Sequence, residues 1–395
     1  MSVRRVRYII FLRDVLILAV SSFGGPTAHI GLFLDMLVTK HGYLTEQELM
    51  ELYALCQVLP GPTSTQTITA IGFKLGGPGL AYLTLLIWAL PALTIMIVMG
   101  LMINVFQEME ISLSFLKFIQ PIAVGIVGYS AYKISSSVVK TRTGFFLMMI
   151  SMLAAYQFRT PWAFPIMLLA GGFVTAFKFE QQPVEEKTSI KINWSNFILW
   201  VAVFVFVAAI GAITKYLPIR LFENFYRNGS LIFGGGQVLI SLLYNEFVEF
   251  KQWLTSEEFL SGYGMVQALP GPVFSFSAYI GTVSMKNTDV FQQVLGGIMA
   301  AGGVFLPGTF FIFFVSRFWE DLKKYRMVKA SLEGIHAVSS GMVIAAAFIL
   351  FEPFQHHPST INYVLILGTM ILMFFTKIPT PVLILVGLIT GLIFK

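Results

Sequence analysis

Charge is what this sequence has least of. Of 395 residues only 12% are Asp, Glu, Lys or Arg, while 56% are apolar; soluble domains carry about 25% charged residues. The mean hydropathy is +0.78. An ordinary soluble fold is excluded, and most of the chain belongs in lipid. Cysteine is nearly absent. The single Cys56 rules out an intrachain disulfide and reads as a small core residue beside a helix break. The net charge is +6, yet Lys and Arg are scattered between apolar stretches and form no long basic run. They read as topology signals, not as a nucleic-acid surface. No Gly-Lys dipeptide occurs, so a Walker-type phosphate loop is missing. His-Glu-x-x-His, Gly-x-Ser-x-Gly and clustered aspartates are missing too, which speaks against an intramembrane enzyme. The adjacent His356-His357 have no third ligand, so no metal site and no cofactor are expected.

What the chain has in quantity is apolar sequence. A spanning helix needs about 20 such residues. Runs such as Phe197–Ile213 and Val364–Phe375 are continuous rather than alternating, which selects helices over barrel strands. The opening stretch is basic and then apolar, like a signal peptide. Arg13 and Asp14 interrupt it and no small-x-small site follows, so it reads as a retained first helix with a cytoplasmic N-terminus.

The stretch Phe23–Pro62 recurs as Phe233–Pro272. Over the ungapped 42-residue pairing that starts at Ser21 and Leu231, 15 positions are identical, which marks a true internal repeat. After a six-residue insertion near Lys286–Phe291 the match resumes. Leu90-Pro91 pairs with Leu306-Pro307, Gly125 with Gly341, and Gly171 with Gly387. The reading is a first repeat over residues 1–178, a polar cytoplasmic linker over 179–194, a connecting transmembrane helix over 195–215 and a second repeat over 216–395. Each repeat holds about six helices or half-helices. An even half plus one extra span turns the second repeat upside down. Basic residues agree: Arg4, Arg5, Arg7, Lys74, Lys133, Lys140, Arg142 and Lys178 fall in inner loops of the first half. The outer loop Asn104–Glu110 is acidic, whereas its counterpart carries Arg317, Lys323, Lys324, Arg326 and Lys329. Equivalent loops of opposite charge are the mark of inverted topology. The expected fold is an all-α polytopic membrane protein of two inverted repeats with broken or re-entrant helices.

The repeated residues are helix breakers. Pro60 and Pro62 lack N–H groups and disfavour helix just before them, and Gly61 lets the chain turn. Thr63, Ser64 and Thr65 then place hydroxyls in the first turn of the next helix, as Ser275 does after Gly271. Gly24, Gly25 and Thr27 form a similar break, repeated as Gly234, Gly235 and Gln237. Helix N-termini offer free N–H donors and about half a positive charge each. Four of them at one centre would suit a tetrahedral dianion. Gln57 and Gln267, equivalent residues before each Pro-Gly-Pro, are expected either to touch the substrate or to brace the turn.

Phe23-Gly24-Gly25-Pro26 and Leu59-Pro60-Gly61-Pro62, with their second copies, resemble the hallmark segments of the chromate transporter family. The likeness covers the whole chain in the long two-domain arrangement. It implies export of chromate across the cell membrane, with sulfate as a similar dianion, and a homodimer. The second copy departs from the pattern, with Gly236 in place of Pro26. Transport would be secondary, driven by membrane potential or ion coupling; the alternatives are an anion channel on the same fold and, further off, an intramembrane enzyme.

Four ionisable residues stand as coupling or gating candidates: Arg13, Asp14, His29 and Lys74. Charges at membrane depth are costly and usually functional. For His29 a buried, hydrogen-bonded structural role competes with proton carriage. Lys74 reads as an anion attractor or a topology anchor. Glu48 and Glu258 fit capping boxes with Thr45 and Thr255.

Overall fold

The computed structural model describes residues 3–109, 116–160, 162–178, 193–233, 236–316, 318–319, 325–356, 358–376 and 378–393. Among them there is no strand, and the protein is an all-α polytopic membrane protein. Among the described residues four helices are long and apolar enough to cross a bilayer: Thr63–Glu108, Ser195–Thr214, Val290–Val315 and Arg326–Gln355.

The first copy supplies α1 (Val3–Ser21), α2 (Pro26–Phe33), α3 (Glu46–Val58), α4 (Thr63–Glu108), α5 (Ile119–Val138), α6 (Arg142–Gln157) and α7 (Ala163–Ala176). The connector is α8 (Ser195–Thr214). The second copy supplies α9 (Leu217–Gly229), α10 (Gly236–Tyr244), α11 (Ser256–Gln267), α12 (Phe276–Val283), α13 (Val290–Val315), α14 (Arg326–His356), α15 (Thr360–Phe375) and α16 (Thr380–Ile393). Helix α4 is two pieces: Gly77 (φ 73°, ψ −165°) breaks it ahead of Pro78. Its first piece corresponds to α12 and its second to α13, so each copy strings the same helical pieces in the same order. Lengths match closely: α6 and α15 have 16 residues each, and α7 and α16 have 14 each. The polar linker falls outside the described residues.

Local chemistry sets the ends. Thr45 caps α3 with a complete capping box: its hydroxyl accepts from the Glu48 N–H, and its own N–H donates to Glu48 Oε2. Thr255 and Glu258 repeat both bonds ahead of α11. Each copy also has a π-helical turn that sequence reading did not find, Leu34–Lys40 after α2 and Asn245–Phe250 after α10. Such turns are rare and recur at functional sites.

The chain forms two compact units, each drawn from both copies. One comprises Met1–Met109, Asn193–Gly235 and Ala268–Arg317. The other comprises Glu110–Ile192, Gly236–Gln267 and Phe318–Lys395. In the first unit α1 packs on α4, α12 and α13 also pack on α4, and α9 lies along α13. Phe11, Val15 and Leu18 recur at helical spacing on α1 and are buried in one cluster with Ile68, Ile71 and Trp88 of α4. In the second unit α14 packs on α6 and α7, while α5 packs on α15 and α16. That exchange is reciprocal, since α14 is the counterpart of α5. Glycines permit it: a Cβ on Gly125 would lie 2.7 Å from the Ile366 carbonyl of α15, and one on Gly341 would lie 2.2 Å from the Met148 carbonyl of α6. Membrane helices, lacking a hydrophobic drive toward one another, gain by such close backbone approach.

Candidate functional site

The Pro-Gly-Pro turns are built from opposite copies. After α3, Leu59 is extended, Gly61 has φ +124°, Pro62 is extended and α4 begins at Thr63. The Gly61 N–H donates to the carbonyl of Ile232 at 2.8 Å, and the Gly271 N–H donates to the carbonyl of Ser22 at 2.8 Å. Ser22 and Ile232 are themselves equivalent residues, each just ahead of a Phe-Gly-Gly segment. Each turn therefore holds the end of the other copy's first helix. All four residues belong to the first unit. Pro60, Gly61, Pro62, Gly271 and Pro272 are buried, and Pro270 is half-buried.

The helix that leaves the first turn has no side-chain cap: Pro62 precedes it and offers none. The second turn, capped by Pro272, likewise has none, and neither does α2, which starts after Gly25 (φ 79°). Side-chain caps occur on α3 (Thr45), α6 (Thr141) and α13 (Asp289), whereas α5, α7, α8, α9 and α15 also start without one, so it is the burial of the α4 start, with Ser64 and Thr65 in its first turn, that sets it apart. A buried helix start without a capping side chain keeps its first N–H donors for another partner. Four such ends would amount to about two positive charges. The first unit holds fewer. The second turn opens as a three-residue 3-10 turn, Val273–Ser275, before α12, and α10 falls in the other unit. Each break also ends a helix, whose carbonyl end offsets part of the field.

Around the α4 start lies a buried polar cluster. His29 Nδ1 is 3.0 Å from Ser64 Oγ. The indole N–H of Trp88 donates to Thr65 Oγ1 at 3.1 Å, and the His29 and Trp88 rings meet edge to face at 5.4 Å. Gln66 Nε2 donates to the Pro60 carbonyl at 2.7 Å. Thr67 and Thr69 turn their hydroxyls onto carbonyls of their own helix. Several buried polar atoms have no partner within the protein: Ser22 Oγ, His29 Nε2, Gln66 Oε1 and Ser275 Oγ. Buried polar atoms are normally paired, and an unpaired one is a point where a ligand or water can complete the bonding.

The predicted site residues divide. Gly24, Gly25, Gly61, Thr63, Ser64, Thr65, Gly271 and Ser275 fall in the first unit, as does His29, with Thr63 half-buried and Ser64, Thr65 and Ser275 buried. Gln57 is exposed. Gln267 belongs to the second unit. Gly234 and Gly235 lie outside the described residues, and so do the side chains of Thr27, Gln237, His356 and His357. Arg13 is exposed, whereas Asp14 is 4% exposed. Asp14 Oδ2 accepts from the Tyr43 hydroxyl at 2.7 Å and lies 2.6 Å from His41 Nδ1. Lys74 donates to Glu48 Oε1 at 2.6 Å, so its charge is engaged by the cap of α3. Cys56 is fully buried. Among the described residues no three His, Cys, Asp or Glu side chains gather as metal ligands. Sequence reasoning missed Ser22, Gln66, Trp88, His41, Tyr43 and Ile232. The polar run Thr63–Thr67 within apolar surroundings was a signal for Gln66; nothing local pointed to the others.

Comparison with known proteins agrees with the likeness read from the motifs. The family model described as chromate transporter matches residues 10–176 and again 219–392. A probable chromate transport protein of Synechococcus elongatus is 24% identical over 372 residues, covering 94% of this chain and 92% of that protein. A chromate transport protein of Cupriavidus metallidurans is 22% identical over 346 residues, covering 83% and 79%. One from Pseudomonas aeruginosa is 24% identical over 340 residues, covering 84% and 78%. No solved structure matches.

Proposed function

Because the chain belongs to the chromate transporter family, we propose that it is a secondary transporter that carries chromate out of the cell past the Pro-Gly-Pro turns of its first unit. The observation that carries this reading is the start of α4: buried, uncapped, followed by Ser64 and Thr65, and pinned at Gly61 to the opposite copy. N–H groups and hydroxyls suit the oxygens of a tetrahedral dianion, and no cationic side chain is needed to hold it. Sulfate, similar in shape and charge, is the expected competitor. The N-terminus lies in the cytoplasm of a cell-membrane protein. Moving a dianion out of a cell that is negative inside gains about 4.6 kcal/mol per 100 mV, twice the single-charge value. That sustains a gradient of about a thousandfold, so potential alone suffices as the driving force.

The test is uptake of labelled chromate by proteoliposomes with an imposed potential. Saturable, potential-dependent flux that unlabelled sulfate inhibits is the expected result. Absence of saturable flux for either anion overturns the proposal, and single-channel currents far above carrier turnover would replace it with the channel reading.

A further inference from the structure

The two breaks share a backbone but not a chemistry. Equivalent residues at the turns lie 210 positions apart, as the paired bonds Gly61 to Ile232 and Gly271 to Ser22 show. In that register Ser64 corresponds to Phe274, Gln66 to Phe276 and His29 to Leu239; with the later insertion, Trp88 corresponds to Val304. Ser64, Gln66, His29 and Trp88 are thus replaced by apolar side chains, whereas Thr65 and Thr67 are matched by Ser275 and Ser277, the latter with its hydroxyl turned onto the Phe274 carbonyl. Phe274 and Phe276 are buried, Phe276 completely. Around Gly271 a Cβ would meet only the Ala19 carbonyl and the Ala92 methyl. At Gly61 it would meet the Gln66 amide at 2.8 Å.

We infer that the transported anion is held by one copy only: the first-copy break supplies the oxygen contacts through Ser64, Thr65 and the α4 N–H groups, and the second-copy break is its apolar support. This rests on the anion-transport reading above. Within the cluster the parts differ. Ser64 and Thr65 touch the anion. His29 and Trp88 are positioning residues, because each is bonded to one of those hydroxyls and so aims it. Gln66 fixes the turn by holding the Pro60 carbonyl, and its Oε1 is buried and unpartnered in the protein. None of these groups carries a fixed charge, so recognition is by hydrogen bonding in a water-poor setting, where such bonds are strongest. Selectivity between chromate and sulfate would then follow from hydroxyl placement and not from net charge.

The experiment uses the full chain, with equilibrium binding of labelled chromate in detergent and uptake in liposomes, and compares equivalent positions. Ser64→Ala and Thr65→Val should each weaken binding by about tenfold or more, the scale of one hydrogen bond to a charged group. Ser275→Ala should cost at least about fivefold less than Thr65→Val, and Phe274→Leu should leave affinity within about threefold. His29→Leu should change the chromate-to-sulfate ratio, with His29→Gln restoring part of it, an outcome that a purely structural role would not give. Ser275→Ala as harmful as Thr65→Val, or binding unchanged in Ser64→Ala, overturns the inference. Melting temperature and elution profile report whether each variant folds; if Thr65→Val does not, Ser64→Ala and Thr65→Ser carry the comparison. Wild-type protein that neither binds nor transports either anion would instead remove the transport reading on which this stands.

Discussion

Gly61 and Gly271 hold backbone angles of φ +124° and +95°, a region that side chains other than glycine enter at a cost of about 1–3 kcal/mol. Both N–H groups are also committed to the opposite copy. Gly61→Leu and Gly271→Leu are therefore expected to abolish chromate flux while the protein still inserts, as measured by uptake and by membrane fractionation; near-normal flux in both would remove the turns from the mechanism. Glu48 gives a pH prediction. Hydrogen bonds from Lys74 and from the Thr45 backbone pull its carboxyl from the usual 4.5 down to about 2. A folded-state value below the unfolded one means stability that is complete above about 4.5 and lost as pH falls toward about 2. Glu48→Gln should flatten the fall in melting temperature over that window, by a small amount because the pair is half exposed and screened. At this scale the sequence was informative wherever a residue type is tied to a backbone demand. The Pro-Gly-Pro glycines and the Thr45–Glu48 cap were legible for that reason. The Asp14 carboxylate was legible as a costly charge, but its partners Tyr43 and His41 were not, because they lie about thirty residues further on and no local rule joins them.

Helices show the same division. The starts of α2 and α4 and the end of α3 fall where Gly24-Gly25-Pro26 and Leu59-Pro60-Gly61-Pro62 require. The π-helical turns after α2 and α10 were not legible, since an i to i+5 bond leaves no distinctive residue pattern. Packing partners were legible only through the glycines that recur between copies. Gly341 is the sharpest case: a Cβ there would lie 2.1 Å from Ser151 Oγ and 2.2 Å from the Met148 carbonyl, so α14 and α6 would have to separate. Gly341→Ala should destabilise the protein by about 1–3 kcal/mol, read as a lower melting temperature in detergent. Gly368, on α15, has nothing within 4 Å of its Cβ direction, and Gly368→Ala should be neutral or stabilising by up to about 1 kcal/mol from helix propensity. Equal losses in the two variants would mean that α14 and α6 do not approach as described.

For the molecule as a whole, the duplication predicts orientation as well as sequence. The compact units each combine both copies, and that interleaving depends on contacts across some two hundred residues, which no local pattern reports. Orientation is different, because loop charge records it. If the copies are antiparallel, the loop between α5 and α6 and the loop between α14 and α15 face opposite sides of the membrane, although they are equivalent in sequence. The single cysteine makes this measurable. Cys56 is fully buried and Cys56→Ala yields a cysteine-free background. Lys140→Cys and Ser359→Cys then place one thiol in each loop. A membrane-impermeant maleimide applied to intact cells should label the Ser359→Cys variant and spare the Lys140→Cys variant, and inverted vesicles should reverse the pattern. Labelling of both from one side would make the copies parallel. The pseudo-two-fold axis would then run along the membrane normal, both Pro-Gly-Pro turns would face the same compartment, and a first-copy site braced by an antiparallel second copy would no longer describe how the anion crosses.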